Sequence, residues 1–420
     1  MKASVSKSEI IGVTSAPPSK SYTIRGLMCA ALASGKSELV NPLVADDTVA
    51  AVNVLSKVGV QIRQKGNLWE IAGGSLHKSE GELFCGDSAA TLRFMTAICS
   101  LVPGRCILSA GKSLSKRPLG PLIEALKSLG VICSSENGLA PVVVEGGSLR
   151  GGLTQIPGDV SSQFISALMF ASPLAQESVT IRLTTPLESK PYIVMTLDCL
   201  ERFGIRVNHT SDFREFEIPR QDYHPASYYV EGDWSSASYF LASGAMAGEA
   251  EVSNLNPVSL QGDRVLLGLL NDAGACIEKE ENRVKVKKRE LSAIEADLSH
   301  SIDLLPTLAV LASVSHGTSA FTGVKRARLK ESNRVAAVSE GLRRAGIIVI
   351  EEPDRLLITG GRPGSATIDS RGDHRIAMAF SLLGLVAGGI VINKAECIAK
   401  TFPAFWDSLR NIGGEVRLYE

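Results

Sequence analysis

Leu55-Ser-Lys-Val-Gly59-Val-Gln-Ile62 decides the fold, because its pattern returns five more times along the chain. The copies are Leu126-Lys-Ser-Leu-Gly130-Val-Ile132, Leu200-Glu-Arg-Phe-Gly204-Ile-Arg-Val207, Leu270-Asn-Asp-Ala-Gly274-Ala-Cys-Ile277, Leu342-Arg-Arg-Ala-Gly346-Ile-Ile-Val349 and Leu409-Arg-Asn-Ile-Gly413-Gly-Glu-Val416. In each, an amphipathic helical pattern runs into a Gly and then into a short β-branched segment. The Leu four positions before the Gly falls on the buried face, and the Gly is the natural C′ residue where a helix ends. A single helix-Gly-strand turn is common in any α/β chain and carries no weight. Six of them, with glycines 71, 74, 70, 72 and 67 residues apart, indicate duplication.

A second helix recurs with the same period. Its start is marked by a small polar residue before an apolar run, at Ser21, Ser88, Ser161, Ser235, Ser301 and Asp373, which are 67, 73, 74, 66 and 72 apart. Ser and Asp suit N-caps, since their oxygens accept from unpaired first-turn N–H groups. Between the helices lie strand-like runs such as Pro141-Val-Val-Val-Glu145, Val179–Leu183 and Arg355–Thr359. Units of mixed helix and strand at this spacing are too long for a solenoid of short repeats and read as α+β modules assembled into larger domains.

Composition bounds the function. A chain of 420 residues has room for two or three domains and buries a large core without disulfides or metals. Its 45% apolar and 21% charged residues exclude disorder, collagen and coiled coil. With 44 Lys+Arg against 44 Asp+Glu, the zero net charge argues against nucleic acid or a membrane surface as partner. The eight cysteines (29, 85, 99, 106, 133, 199, 276 and 397) form no CxxC and lie near no His cluster, which fits buried thiols in a reducing compartment. The start, Met1 to Ser8, lacks the apolar segment of a signal peptide. The longest apolar stretch, Phe380 to Ile392, contains three glycines and falls short of the roughly 18 residues a membrane span needs. The expectation is a soluble, cytoplasmic protein.

The common nucleotide and metal motifs are missing. No two of the 39 glycines are spaced i, i+2, so there is no GxGxxG. Gly35-Lys-Ser37 and Gly111-Lys-Ser113 imitate the tail of a P-loop, but Ala30 and Cys106 stand where its first Gly belongs. There is no GxSxG, no HExxH and no Cys-His set at metal spacing. Neither a cofactor nor a metal is expected. What remains is a series of cations at helix starts: Lys20, Arg25, Arg93, Lys330, Arg334 and Arg375. A cation in the first turn has the wrong sign for the helix dipole, whereas the N–H groups there favour an anion. Any one of these side chains could simply snorkel into solvent or pair with a carboxylate. As a set they point to a multi-point anion site in a neutral protein.

Seven blocks then resemble one family. Pro18-Ser-Lys-Ser-Tyr-Thr-Ile-Arg25, Ser161-Ser-Gln163, Ser189-Lys-Pro-Tyr192, Glu231-Gly-Asp-Trp-Ser-Ser-Ala-Ser238, Lys330-Glu-Ser-Asn-Arg334, Asp373-His-Arg-Ile-Ala-Met-Ala379 and Lys400-Thr-Phe-Pro403 are similar, in order, to EPSP synthases of the enolpyruvyl transferase family. The resemblance implies a two-domain α+β (α/β) fold of six βαβαββ repeats, three per domain around a pseudo-threefold axis. It places the domains at 14–230 and at 1–13 with 231–420, and the active site in the cleft between them. The implied reaction moves the enolpyruvyl group of phosphoenolpyruvate to the 5-hydroxyl of shikimate 3-phosphate by a monomeric enzyme of aromatic amino acid biosynthesis, without metal or cofactor.

The resemblance also implies roles. Lys20, Ser21, Arg25, Ser161, Ser162, Gln163, Ser189, Tyr192, Asp303 and Lys330 match the shikimate 3-phosphate set. Lys20, Ala89, Arg117, Gln163, Arg334, Arg375 and Lys400 match the phosphoenolpyruvate set, with the Asp87–Ala90 loop as a wall. Asp303 is then the base for the hydroxyl, Glu331 the carboxylate for proton transfer at C3, and Lys20 and Lys400 stabilise the departing phosphate. The chain departs from the family at Asp87, where Asn is common, at Ala89, where Gly is common, and at Arg326, where Asn is frequent. The methyl of Ala89 is expected to reduce sensitivity to glyphosate. A sister transferase acting on UDP-N-acetylglucosamine is the alternative, disfavoured because Gly111-Lys-Ser-Leu-Ser-Lys-Arg-Pro118 lacks its Cys. A non-catalytic anion binder of the same fold is disfavoured by the presence of Asp303 and Glu331.

Overall fold

A computed structural model describes all 420 residues. The repeated pattern folds as read. All six glycines (59, 130, 204, 274, 346 and 413) have positive φ, between 83° and 103°. In each copy the N–H of the residue after the Gly donates back to the Leu carbonyl: Val60 to Leu55, Val131 to Leu126, Ile205 to Leu200, Ala275 to Leu270, Ile347 to Leu342 and Gly414 to Leu409. The Gly N–H bonds the next carbonyl along, as Gly346 does to Arg343. This double bond pattern satisfies carbonyls that a helix end otherwise leaves open. The six leucines are wholly buried.

Around these turns stand six four-stranded sheets of one design. In the module spanning Leu83–Gly146, strand Leu83–Phe84 runs parallel to Gly104–Ser109, which pairs antiparallel with Val142–Gly146, itself antiparallel to Ile132–Ser135. The parallel-antiparallel-antiparallel order recurs in the other five sheets. Each sheet is served by two helices, giving βαβαββ. One helix of each pair is almost wholly buried: Lys20–Leu32, Ala89–Ile98, Ser162–Ala171, Trp234–Ala247, Leu305–Ala312 and His374–Ala387.

Three strands come from elsewhere in the chain. Ser227–Tyr229 supplies the first strand of the first module, Ile10–Ser15 the first of the fourth, and Lys2–Val5 the last of the sixth. The chain accordingly forms two compact units, 18–230 and 1–17 with 231–420. Of residues 14–17, which sequence alone groups with the first of these, Thr14 and Ser15 end the strand paired with Gly248–Ser253, and the Ala16 N–H donates to Ser253 O. Each unit has its own apolar core. Trp234 and Phe402 belong to the second core. All eight cysteines are free thiols, and all but Cys276 and Cys397 are buried. No helix is long and apolar enough to cross a membrane.

The helix starts differ in detail from the sequence reading. The first is capped by Ser19, whose Oγ accepts from Tyr22 N–H, so Ser21 lies inside the helix. The fourth is capped by Asp233, accepting from Ser236 N–H, so Ser235 lies inside as well. Ser161 and Asp373 cap as read. Ser301 instead precedes a 3₁₀ turn, Ile302–Leu304, which leads into the helix at Leu305.

Candidate functional site

In the unit formed by 18–230, Lys20, Arg25 and Arg93 lie within the first two turns of buried helices. Lys20 is the first residue of its helix, and its Nζ is 2.9 Å from Asp47, a buried acid in the first turn of the next helix. Arg25, one turn further, is 2% exposed. It donates to Thr196 Oγ1 at 2.9 Å and to the carbonyls of Ser21 and Tyr192 at 3.1 Å each. Its guanidinium lies 5.5 Å from the Phe94 ring centre and 5.7 Å from that of Tyr192. All three bonds end on neutral oxygens, and burial lowers its proton affinity below the ordinary guanidinium value. A buried cation held this way is a strong attractor for an anion.

Arg93 reaches the start of the third buried helix, donating to Ser161 Oγ at 3.2 Å and Gln163 Oε1 at 2.7 Å. Ser162 opens that helix and is buried. Ser189 sits in the left-handed region (φ 52°) just before Lys190–Arg202, the helix that carries Tyr192 and Thr196. Ala89 opens the helix Ala89–Ile98, and Arg117 is buried at the end of the turn Leu114–Lys116.

In the other unit all six sequence-predicted residues form one network. Arg334 donates through Nη1 to Asp303 at 2.6 Å, through Nη2 to Glu331 at 2.6 Å and through Nε to Asp373 at 2.8 Å. Lys330 Nζ and Arg375 Nε lie 3.5 and 3.6 Å from Asp303, and Lys400 Nζ 3.5 Å from Glu331. Asp373 also caps its helix through Arg375 N–H and accepts from Ser332 Oγ. Burial pushes the Asp303 carboxyl up, but Arg375, Lys330 and Arg334 outweigh it and hold the group well below the usual carboxylate range. Burial brings the Lys330 ammonium down to about 8, against the opposing pull of Asp303. Burial also opposes the charge of Arg334, yet Asp373, Glu331 and Asp303 together raise its proton affinity above normal.

Sequence reasoning missed several members of these clusters. Asp47, Thr196 and Asp263 carry no motif of their own, and Asp373 reads only as a cap. Asp263 is buried and accepts a short bond from Ser235 Oγ. Burial first, and then the charge of Asp303, push its carboxyl up to about 7. Asp47 could have been suspected from Asp46-Asp47 at a helix start, where acids are favoured. Arg326 is anchored to the backbone, donating to Ser299 O at 2.6 Å.

Six βαβαββ modules in two units, each unit with buried cations near helix and 3₁₀ ends, define the class: enolpyruvyl-transferase-like α+β proteins. The family model for EPSP synthase (3-phosphoshikimate 1-carboxyvinyltransferase) matches residues 6–409, and the chain belongs to that family. A relative from Dehalococcoides mccartyi strain 195 is 49% identical over 418 residues, covering 99% of both chains. One from Methanothermobacter thermautotrophicus is 41% identical over 425 residues, covering all of both. Each of these relatives is named 3-phosphoshikimate 1-carboxyvinyltransferase. Among solved structures, an EPSP synthase from Acinetobacter baumannii superposes with a TM-score of 0.84 at 25% identity, covering 99% of this chain and 100% of that one.

Proposed function

We propose that this chain transfers the enolpyruvyl (1-carboxyvinyl) group of phosphoenolpyruvate to the 5-hydroxyl of shikimate 3-phosphate, releasing phosphate, as a step of the shikimate pathway. The observation that carries the chemistry is Asp303: an acid held ionised at neutral pH among Arg334, Lys330 and Arg375. In the addition step the 5-oxygen bonds to C2 of phosphoenolpyruvate while its proton passes to Asp303, and C3 gains a proton. In the elimination step the bond from C2 to the phosphate oxygen breaks and C3 returns a proton.

A carboxylate held so low is a weak base in the free protein. The two substrates bring two phosphates of about −1.5 to −2 each and two carboxylates, and that charge offsets the cations around Asp303. Its proton affinity then rises where the hydroxyl reacts. Glu331, paired with Arg334 and Lys400, is the carboxylate proposed for proton transfer at C3. Lys20 and Lys400 are proposed to stabilise the leaving phosphate. Arg25, Ser21, Ser161, Ser162, Gln163, Ser189, Tyr192 and Lys330 are assigned to shikimate 3-phosphate. Arg117, Arg334, Arg375 and the Ala89 wall are assigned to phosphoenolpyruvate. The neutral-partnered guanidinium of Arg25 supports the first set.

The chain is proposed to act as a cytoplasmic monomer. The test is phosphate release from phosphoenolpyruvate with shikimate 3-phosphate or UDP-N-acetylglucosamine as acceptor. Turnover with the first alone is expected; turnover only with the second would overturn the reading. Asp303→Ala should cost about 10²–10⁴ in kcat, and near-normal turnover would overturn the base assignment.

A further inference from the structure

Two loops of the second module leave neighbouring parallel strands, Leu83–Phe84 and Gly104–Ser109. Their backbones meet at the base, where Cys85 N–H donates to Ser109 O at 2.9 Å and Gly111 N–H to Gly86 O at 2.7 Å. Beyond that point the second loop must turn to present Arg117. It does so through the short 3₁₀ turn Leu114–Lys116, closed by Ser115 N–H to Gly111 O at 2.9 Å and Arg117 N–H to Leu114 O at 3.0 Å. The N–H groups that open this turn are taken up from the first loop: Asp87 Oδ1 accepts from Ser113 N–H at 3.1 Å and Leu114 N–H at 2.9 Å.

We infer that Asp87 is a positioning residue for phosphoenolpyruvate, acting by capping the turn that holds Arg117. The inference rests on the assignment of Arg117 to that substrate. A carboxylate at the start of a helical turn satisfies open donors and has the favourable sign for the dipole. The opposite loop is shaped to admit it: a Cβ at Gly111 would come within 2.7 Å of Asp87 Oδ1 and 2.8 Å of its Cγ and Oδ2. Gly111 is absent from the positive-φ positions, so the close approach of the carboxylate, not backbone conformation, is what calls for glycine there. The family's frequent Asn has the same acceptor oxygen, so the cap needs an oxygen at this position and not a charge. Arg117 itself is buried at the end of the turn, so a shift of the turn moves the guanidinium with it.

The experiment is steady-state kinetics on five forms of the full chain: wild type, Asp87→Ala, Asp87→Asn, Gly111→Ala and the double variant Asp87→Ala/Gly111→Ala. Asp87→Ala is expected to raise KM for phosphoenolpyruvate about fivefold, the value of one lost cap, with KM for shikimate 3-phosphate unchanged. Asp87→Asn should recover most of that loss, because its Oδ1 accepts the same two bonds. Gly111→Ala should reproduce the rise by pushing the carboxylate away. In the double variant Asp87→Ala/Gly111→Ala the two effects should fail to add, since the clash is gone. An unchanged KM in Asp87→Ala, a parallel rise for both substrates, or full additivity overturns the inference while the wild type remains active. A wild type that releases no phosphate from either acceptor overturns the functional reading instead.

Discussion

Arg334 spends its guanidinium on three carboxylates, Asp303, Glu331 and Asp373, before any substrate arrives. Four cations of this cluster, Lys330, Arg334, Arg375 and Lys400, thus face Asp303, Glu331 and Asp373, with Asp263 close by, and its excess positive charge is small. The cations were legible in the sequence because a Lys or Arg at a helix start is out of place locally. Their pairing with acids was not, because Asp303 and Asp373 reach Arg334 across 31 and 39 residues of chain. Glu331 illustrates the point: its neighbour in sequence is Lys330, but its ion pairs include Arg334 and Lys400. Lys330, lowered by burial to about 8, gives a pH prediction. The alkaline limb of kcat/KM should lie near 8 and move up by more than about one unit in Lys330→Arg, since a guanidinium keeps its proton. An unmoved limb would exclude Lys330 as its source. For stability the sign is reversed. Between about 8 and 10.5 the unfolded chain holds a proton on Lys330 that the folded one has lost, so this group makes stability rise with pH there. At Ala89, buried at its helix start, Ala89→Gly should increase inhibition by glyphosate; equal inhibition of both forms would contradict the steric argument.

The elements repeat because their ends are encoded locally. Each helix with a Gly at its close needs only a residue that tolerates positive φ and a Leu whose carbonyl receives the returning N–H. Both requirements lie within six residues, and so both were readable. Gly346 isolates the conformational part: its φ is 85°, and a Cβ there would meet nothing within 4 Å. Gly346→Ala should therefore cost about 1–2 kcal/mol from the left-handed backbone alone. Gly341→Ala, inside the helix, drives a Cβ to within 2.3 Å of the Phe380 ring and should cost about 1–3 kcal/mol through overpacking. Denaturant midpoints of the two variants check both values, and a neutral Gly346→Ala would count against the strain account. N-caps were read less accurately, by two residues at Ser21 and Ser235. A run such as Pro-Ser-Lys-Ser offers two good caps, and only the backbone dihedrals choose between them.

At the scale of the molecule, the strands Lys2–Val5, Ile10–Ser15 and Ser227–Tyr229 close modules whose other elements lie far away in sequence. Removing residues 1–8 would take a central strand from between Ile390–Asn393 and Val416–Tyr419. Hydrogen exchange should then show lost protection in those two strands while the strands of 83–156 keep theirs; unchanged protection at 390–393 would contradict the pairing. The sequence by itself determined six modules, their helix ends, the family and the cations of the site, because each is written within a few consecutive residues or a fixed period. Tertiary structure alone decided which strands complete the first, fourth and sixth sheets, and which carboxylates pair with Lys20 and Arg334. Strand edges and buried charges find their partners by proximity in space, and nothing local in the chain records that proximity.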